Sequence, residues 1–585
     1  MLLGYILRSP YRTLITHSSY KLKMNKFLRY YLGAIFLALF LAGSPVKGQA
    51  KKQDTQSVAF QNPILAGFYP DPSICRVGSD YYLINSAFSY FPGLPVFHSN
   101  DLVHWKQIGN AIDRPEQINF IGQRITEGLF APAISYHDGT FYIVCTHISR
   151  LGNFIISSKN PAGPWSNPVA LPQVNGIDPS LFFDTDGKCY LVYNGDAPDN
   201  KSLYDGHRTI RIVPVDIDNL KVTGTDKILV NGGTDLAKKP VWIEGPHIFK
   251  KDNYYYLIAA EGGTGDNHSE VVFRSKDVYG PYEPYKNNPI LTQRDLDPNR
   301  ANPITTAGHC DFVQTENGDW WSVFLACRPY EDSYFNIGRE TFLAPVNWTD
   351  GWPEITKKGE LIKYEYTVPV TNQKSAGDKL SGKFVSRDEF DADKLDFSWL
   401  MLRNPSEKWY SISKGKLLVK LRPEECHDKG NPSFLGKRQQ HINGYAKTSL
   451  AFTAKSESEK AGLVVFQSEK NYYYFCKTAH NGKSVLQLLK YNADHTEVIK
   501  EVALLSESAP ISLKIESKGK FYNFYYTIDN SKEVLFKDNV DGKYLSTKVA
   551  GGFVGSIYGL YATSQGNAST NTAIYDYFEL SNQDN

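Results

Sequence analysis

DPSLFFDTDGKCYLVYN (178–194) reads as an apolar strand, a tight polar turn and a second strand rich in aromatic and β-branched residues. That order is the signature of a β-hairpin. The same phrase occurs five times: DPSICRVGSDYYLINS from Asp71, APAISYHDGTFYIVCT from Ala131, the stretch from Asp178, EGPHIFKKDNYYYLIAA from Glu244 and HCDFVQTENGDWWSVFL from His309. Its turns recur roughly every 50 to 65 residues. A second theme follows several of them, SNDLVHWK, SSKNPAGPWS and RSKDVYGPYE, carrying the aromatic residues Trp105, Trp165 and Tyr282. A four-stranded unit repeated at this period predicts a β-propeller, because one unit cannot bury its own faces and neighbours must pack around an axis. Five repeats predict five blades over residues 59–370.

In each unit a distinctive residue stands about eight positions before the turn: Asp71, Ala131, Asp178, Glu244 and His309. Equivalent positions in radial blades lie at equivalent places around the axis, so three carboxylates and a histidine are expected at one end of the central channel. Taken singly, each has a bland reading: Asp71 and Asp178 as turn caps, Glu244 as a solvated charge, His309 as a core histidine. Together, buried like charges cost free energy unless they are paired or used.

Near residue 370 the repeat stops. Residues 371–383 form a polar, glycine-containing linker. Beyond it KLLVKL, AGLVVFQ, NYYYFCK and FYNFYYTI show no helical period, which predicts a β-sandwich over 384–585 and an all-β chain. At the other end, residues 1–23 read as an upstream mis-start. Residues 24–48 carry Lys26 and Arg29, an apolar run too short to span a membrane, and Val46-Lys47-Gly48 as a cleavage site, the pattern of a secretory signal. The mature chain is therefore expected to be exported, periplasmic or secreted, with no membrane span.

Of the 585 residues 14% are aromatic, 38 of them tyrosine, which suits β-structure and also sugar stacking. The net charge of +2 speaks against nucleic acid as a partner. Seven scattered cysteines, with no CxxC spacing, read as buried small hydrophobes, neither a zinc site nor a disulfide framework.

Paired carboxylates in an aromatic-walled pocket are the equipment of glycoside hydrolysis. YPDPS, GIDPSLFFDTDG and IEGPHIFK resemble the three catalytic segments of glycoside hydrolase family 43, a family of inverting five-bladed propellers. GLFAPAISYHDGTFY, EGGTG, AGHCDFVQT and GRETFLAPV follow the family's order. LGKRQQH and GLYA are similar to the concanavalin A-like β-sandwich of its xylosidase/arabinofuranosidase branch. The resemblance implies Asp71 as general base, Glu244 as general acid and Asp178 as the carboxylate that orients the acid and keeps it protonated. It implies Arg339 on the terminal sugar, Phe130 (where relatives often have tryptophan) and Ala131 at the substrate, and His309 beside a structural calcium that the chemistry itself does not require. The expected activity is exo-acting release of terminal non-reducing pentoses, α-L-arabinofuranose ahead of β-D-xylose, from hemicellulose oligosaccharides such as xyloglucan or arabinoxylan fragments. A non-catalytic sugar-binding propeller and a retaining fructan-type enzyme are the other readings; the latter typically carries Arg-Asp-Pro and Glu-Cys where this chain has Ile177-Asp178-Pro179 and Glu244-Gly245.

Overall fold

The computed structural model describes residues 56–370, 377–492, 495–529 and 531–583. The expected upstream segment (1–23) and signal (24–48) lie outside the described residues, as does part of the expected linker.

Each repeated phrase forms the first two strands of its own antiparallel sheet. Sheets I to V begin with Ser73–Val77, Leu129–His137, Gly176–Phe183, Glu244–Lys251 and Thr305–Gln314, and each contains four or five strands. Two of the two-residue hairpin turns place both central residues in the left-handed region, Asp138-Gly139 (φ 43° and 73°) and Asp252-Asn253 (φ 48° and 62°), and the Gly78-Ser79 turn places only Gly78 there (φ 61°). That geometry matches the twist of the flanking strands. Trp105, Trp165 and Tyr282 of the second theme are all buried.

Among the described residues no strand ladder joins one of these sheets to the next; an isolated backbone bridge pairs Phe88, in the loop of sheet I, with Leu129 of sheet II, and side chains make further ties. Asn153 of sheet II donates to the carbonyl of Gly176 in sheet III. Ser180 of sheet III donates to the carbonyl of Pro246 in sheet IV. Glu270 of sheet IV accepts the N–H of Cys310 in sheet V. Asp311 of sheet V accepts from the hydroxyl of Ser73 and the N–H of Ile74 in sheet I, and the Ser73 oxygen accepts the N–H of Ile134 in sheet II. These bonds satisfy buried polar groups that would otherwise be costly, and they connect the first sheet to the last. The chain ends of this region are paired as well: Gln56–Gln61 runs antiparallel to Glu365–Val370. Val58, Phe60, Trp321, Leu343 and Val368 share one core there with Ile74 and Leu83 of sheet I.

The C-terminal half is a sandwich of an eight-stranded and a six-stranded sheet. Burial separates their roles. Asn443–Ala451 and Ile511–Lys518 of the larger sheet alternate buried and half-buried residues, so only one face is covered. Lys460–Ser468 and Asn471–His480 of the smaller sheet are almost wholly buried. Leu463, Val465, Tyr473 and Phe475 face the sandwich core, whereas Val464, Phe466, Tyr472 and Tyr474 cluster with Phe68, Phe88 and Tyr90 of the N-terminal half. The six-stranded sheet is thus a slab covered on both sides, and a short pairing of Met401–Leu402 with Tyr90–Phe91 joins the halves. All seven cysteines are free and six are buried.

Candidate active site

Five residues at one phase of the repeat hold left-handed backbone: Asp71 (φ 51°), Ala131 (37°), Asp178 (54°), Gly245 (56°) and His309 (56°). In sheets II to V they sit at breaks in the register between first and second strands. Such conformations are costly for side-chain-bearing residues and cluster at functional sites. The expected phase is corrected at one position: the equivalent residue in sheet IV is Gly245, and Glu244 stands one place earlier. The reason is steric. A Cβ on Gly245 would lie 2.9–3.0 Å from three atoms of the His309 ring, so glycine alone fits there.

The bulges turn their residues into one cavity of about 460 Å³, lined by Asp71, Asp178, Glu244, His309, Arg339, Phe130 and Ala131. Every residue expected at the site is therefore in one place. The volume lies within the range of small-molecule pockets. Two larger cavities, about 770 Å³ beside Asn299 and Asn443 and about 560 Å³ beside Tyr330 and Phe521, lie elsewhere and contain none of these groups.

Asp71 is gripped from two sides. The Arg339 guanidinium donates to both its oxygens, at 2.8 and 3.4 Å, and the Ser86 hydroxyl donates at 2.6 Å. Ser86 in turn accepts the N–H of Ala131 at 2.7 Å, which gives Ala131 a positioning part. Burial pushes the Asp71 carboxyl up, but Arg339, His309 and the Ser86 hydrogen bond outweigh it and hold the group below its ordinary range. Glu244 is the opposite case. Burial, then the charges of Asp178 and Asp71, raise it well above the usual carboxylate range, against the pull of Arg339 and Arg208. Asp178 is also raised, by burial and then by Asp71. Between these two the proton belongs on Glu244, because the Gly245 N–H donates to Asp178 Oδ2 at 3.1 Å and favours its anion. One carboxylate kept ionised and another kept protonated in one cavity can supply a base and an acid together.

The reason Arg339 and Asp71 meet lies next door. Glu340 is fully buried, accepts the N–H of Gly67 at 2.8 Å and is held by Arg328 at 2.7 Å. The GRET and GFYPDP segments are thereby locked together. The LGKRQQH segment braces them from the sandwich side: Arg438 donates to the carbonyl of Phe68 at 2.6 Å and Arg328 to that of Gln440 at 3.3 Å.

Among the lining residues not assigned to the site from the sequence are Phe88, Arg208, Trp242 and Phe553. Phe553 comes from the sandwich. Its ring stands 5.7 Å from Phe130 and 6.2 Å from Phe88, with the Arg339 guanidinium 5.7 Å above it. Its loop comes close because Gly338 and Gly555 pack backbone against backbone, a Cβ on Gly338 reaching within 3.1 Å of Gly555. Glycines flanking an aromatic in GGFVGS were the available signal.

The family model of glycosyl hydrolases family 43 matches residues 60–353. The chain belongs to glycoside hydrolase family 43. The model of the beta xylosidase C-terminal concanavalin A-like domain matches residues 387–581. A xylosidase/arabinosidase of Butyrivibrio fibrisolvens is 39% identical over 536 residues, covering 89% of this chain and 99% of the relative. A non-reducing end alpha-L-arabinofuranosidase of Bacteroides ovatus is 39% identical over 530 residues, covering 89% and 94%. The solved structure of a xyloglucan PUL GH43B protein of Bacteroides ovatus superposes with a TM-score of 0.79 at 38% identity, covering 89% of this chain and 99% of that one. As a family 43 member the chain is a glycosidase acting on carbohydrate, and its N-terminal sheets and C-terminal sandwich are the family's propeller and concanavalin-like domains.

Proposed function

We propose that this family 43 enzyme is an exo-acting, inverting glycosidase that releases terminal non-reducing α-L-arabinofuranose from hemicellulose-derived oligosaccharides such as xyloglucan or arabinoxylan fragments. The observation that carries the reading is the placing of Asp71, gripped by Arg339 and Ser86, and Glu244, buried beside Asp178, on one cavity, surroundings that hold the Asp71 carboxyl low and raise that of Glu244. Asp71 takes a proton from water, whose oxygen attacks the anomeric carbon. Glu244 gives its proton to the departing glycosidic oxygen, and the new bond forms on the face opposite the one that breaks. Asp178, pinned by Gly245, keeps Glu244 protonated. Arg339 holds Asp71 as an anion and reaches the terminal sugar. Phe553, brought in by the sandwich, walls the pocket and suits a chain end better than the middle of a polymer.

The five sheets are read as five blades over 59–370, followed by a linker at 371–383 and the sandwich at 384–585. The basic and apolar leader at 24–48 favours export to the periplasm or beyond. Among the described residues no helix is long and apolar enough to cross a membrane. The second reading, β-D-xylosidase, is favoured by relatives named for it, including a xylan 1,3-beta-xylosidase of Vibrio sp. at 34% identity. Hydrolysis of 4-nitrophenyl α-L-arabinofuranoside, β-D-xylopyranoside and fructoside, followed by NMR of the first-formed anomer, separates these readings. Inverted product from the arabinofuranoside is expected; retained configuration would sink the base assignment of Asp71.

His309 carries the remaining proposal. Burial pulls its ring down to about 4, with Asp71 opposing, so it is neutral at pH 7 and able to ligate. It cannot cage calcium, which prefers six to eight oxygens, and no cluster of three acidic, histidine or cysteine donors exists among the described residues. A calcium at His309 would be held mostly by water. Chelation is then expected to lower activity or melting temperature partly and reversibly, and His309→Ala to remove that response. Unchanged rate and melting temperature after exhaustive chelation would leave His309 as a core histidine.

A further inference from the structure

Trp242 is a bulky residue in left-handed backbone (φ 50°), 39% exposed, two positions before Glu244 and on the wall of the same cavity. Each of those features is unfavourable by itself. A tryptophan at positive φ is strained, and a large aromatic surface in water forgoes burial. The surroundings nevertheless hold it there. Its N–H donates to the carbonyl of Gly206 at 2.9 Å, and the carbonyl of neighbouring Val241 accepts the N–H of Gly262 at 2.8 Å. The Arg208 guanidinium lies over the ring at 4.9 Å. Arg208 is itself fixed by Asn194 through Nε at 3.0 Å and Nη2 at 2.7 Å, and by Asp196. Asn194 also donates to the carbonyl of Ile243, between Trp242 and Glu244. The ring, the arginine and the acid are therefore one braced unit.

Position gives this unit its meaning. Asp71, Phe88 and Arg339 reach the cavity from sheets I and V and their loops, and Phe553 joins them from the sandwich. Arg208, Trp242, Gly263 and Thr264 reach it from sheets III and IV, the side of Asp178 and Glu244. The acid must meet the leaving-group oxygen, so whatever carries that oxygen passes the acid's side of the cavity. We infer that Trp242, stiffened by Arg208, is the stacking platform for the sugar ring that leaves, a subsite that selects a pyranose ring of a hemicellulose backbone. This rests on the proposed assignment of Glu244 as the acid. Val241, its chain neighbour, is 40% exposed.

The test compares two substrates with the same glycosyl part, whichever pentose the wild-type enzyme releases: one carried on a xylo-oligosaccharide, the other a glycosyl fluoride, whose leaving group has no ring. Trp242→Ala is expected to lower kcat/KM on the oligosaccharide about tenfold, mostly through KM, and to leave the fluoride within about twofold of wild type. Trp242→Phe should recover most of the loss, because it restores a ring. Trp242→Gly should lose the oligosaccharide equally while keeping or raising the melting temperature, since glycine relieves the left-handed strain. Equal losses on both substrates, or none on the oligosaccharide, would overturn the inference. A wild type that turns over neither substrate would overturn the hydrolase reading, and the subsite with it.

Discussion

Asp71→Asn is expected to reduce turnover about 10²–10⁴-fold, on substrates with good and poor leaving groups alike. Water must be activated whichever group departs, so a better leaving group gives no relief. Asparagine is the informative replacement, because it keeps the shape that Ser86 and Arg339 grip at 2.6 and 2.8 Å. Alanine would leave the buried Arg339 charge unpaired and add a folding defect to the catalytic one. The pH profile supplies a second readout. Activity requires ionised Asp71, and its carboxyl is held below the ordinary value of 3.8, so the acid limb of kcat/KM should lie below that value. Arg339→Lys, which loses the two-pronged contact, should move that limb upward. Steady-state rates from acid to neutral pH, with both 4-nitrophenyl and oligosaccharide substrates, check all of this. An Asp71→Asn enzyme that keeps its rate on the nitrophenyl glycoside would remove Asp71 from the base role.

The hairpins were legible in the sequence because alternating aromatic strands around Asp-Gly, Gly-Ser or Asp-Asn turns encode their pairing locally. The three carboxylates were legible because Asp71-Pro72, Asp178-Pro179 and Glu244-Gly245-Pro246 stand at the start of such hairpins. The one-residue error at Glu244 was also avoidable. A residue followed by proline marks the left-handed position in four of the five sheets, Asp71, Ala131, Asp178 and Gly245, and that pattern selects Gly245. What the sequence hid depends on approach across distance. Phe553 meets Phe130 more than 400 residues along the chain, and no local pattern reports that. The six-stranded sheet read as an ordinary sandwich strand set, although the unbroken apolar run AGLVVFQ was a sign of cover on both faces. Trp242 carries no local mark in the sequence, since its exposure and strain exist only in three dimensions.

Glu244→Ala is expected to divide substrates by leaving group. A xylo-oligosaccharide departs as an alkoxide unless it is protonated, so its hydrolysis should fall about 10²–10⁴-fold. A dinitrophenolate is already a stable anion and needs little help, so its rate should stay close to wild type. The same logic fixes the alkaline side of the pH profile. Glu244 must carry its proton, and burial with the charges of Asp178 and Asp71 raises it well above the ordinary 4.5; activity on oligosaccharide should persist through that range and fail only as Glu244 ionises. In Glu244→Ala the alkaline limb should vanish for the activated substrate. Asp178→Asn tests the cause separately. Removing that neighbouring negative charge lowers the Glu244 pKa, so the alkaline limb should move to lower pH while the acid limb set by Asp71 changes less. Equal losses on the two leaving groups in Glu244→Ala would show that the residue shapes the pocket without donating the proton. The acid would then have to be sought in Asp178, the other raised carboxyl on this side of the cavity.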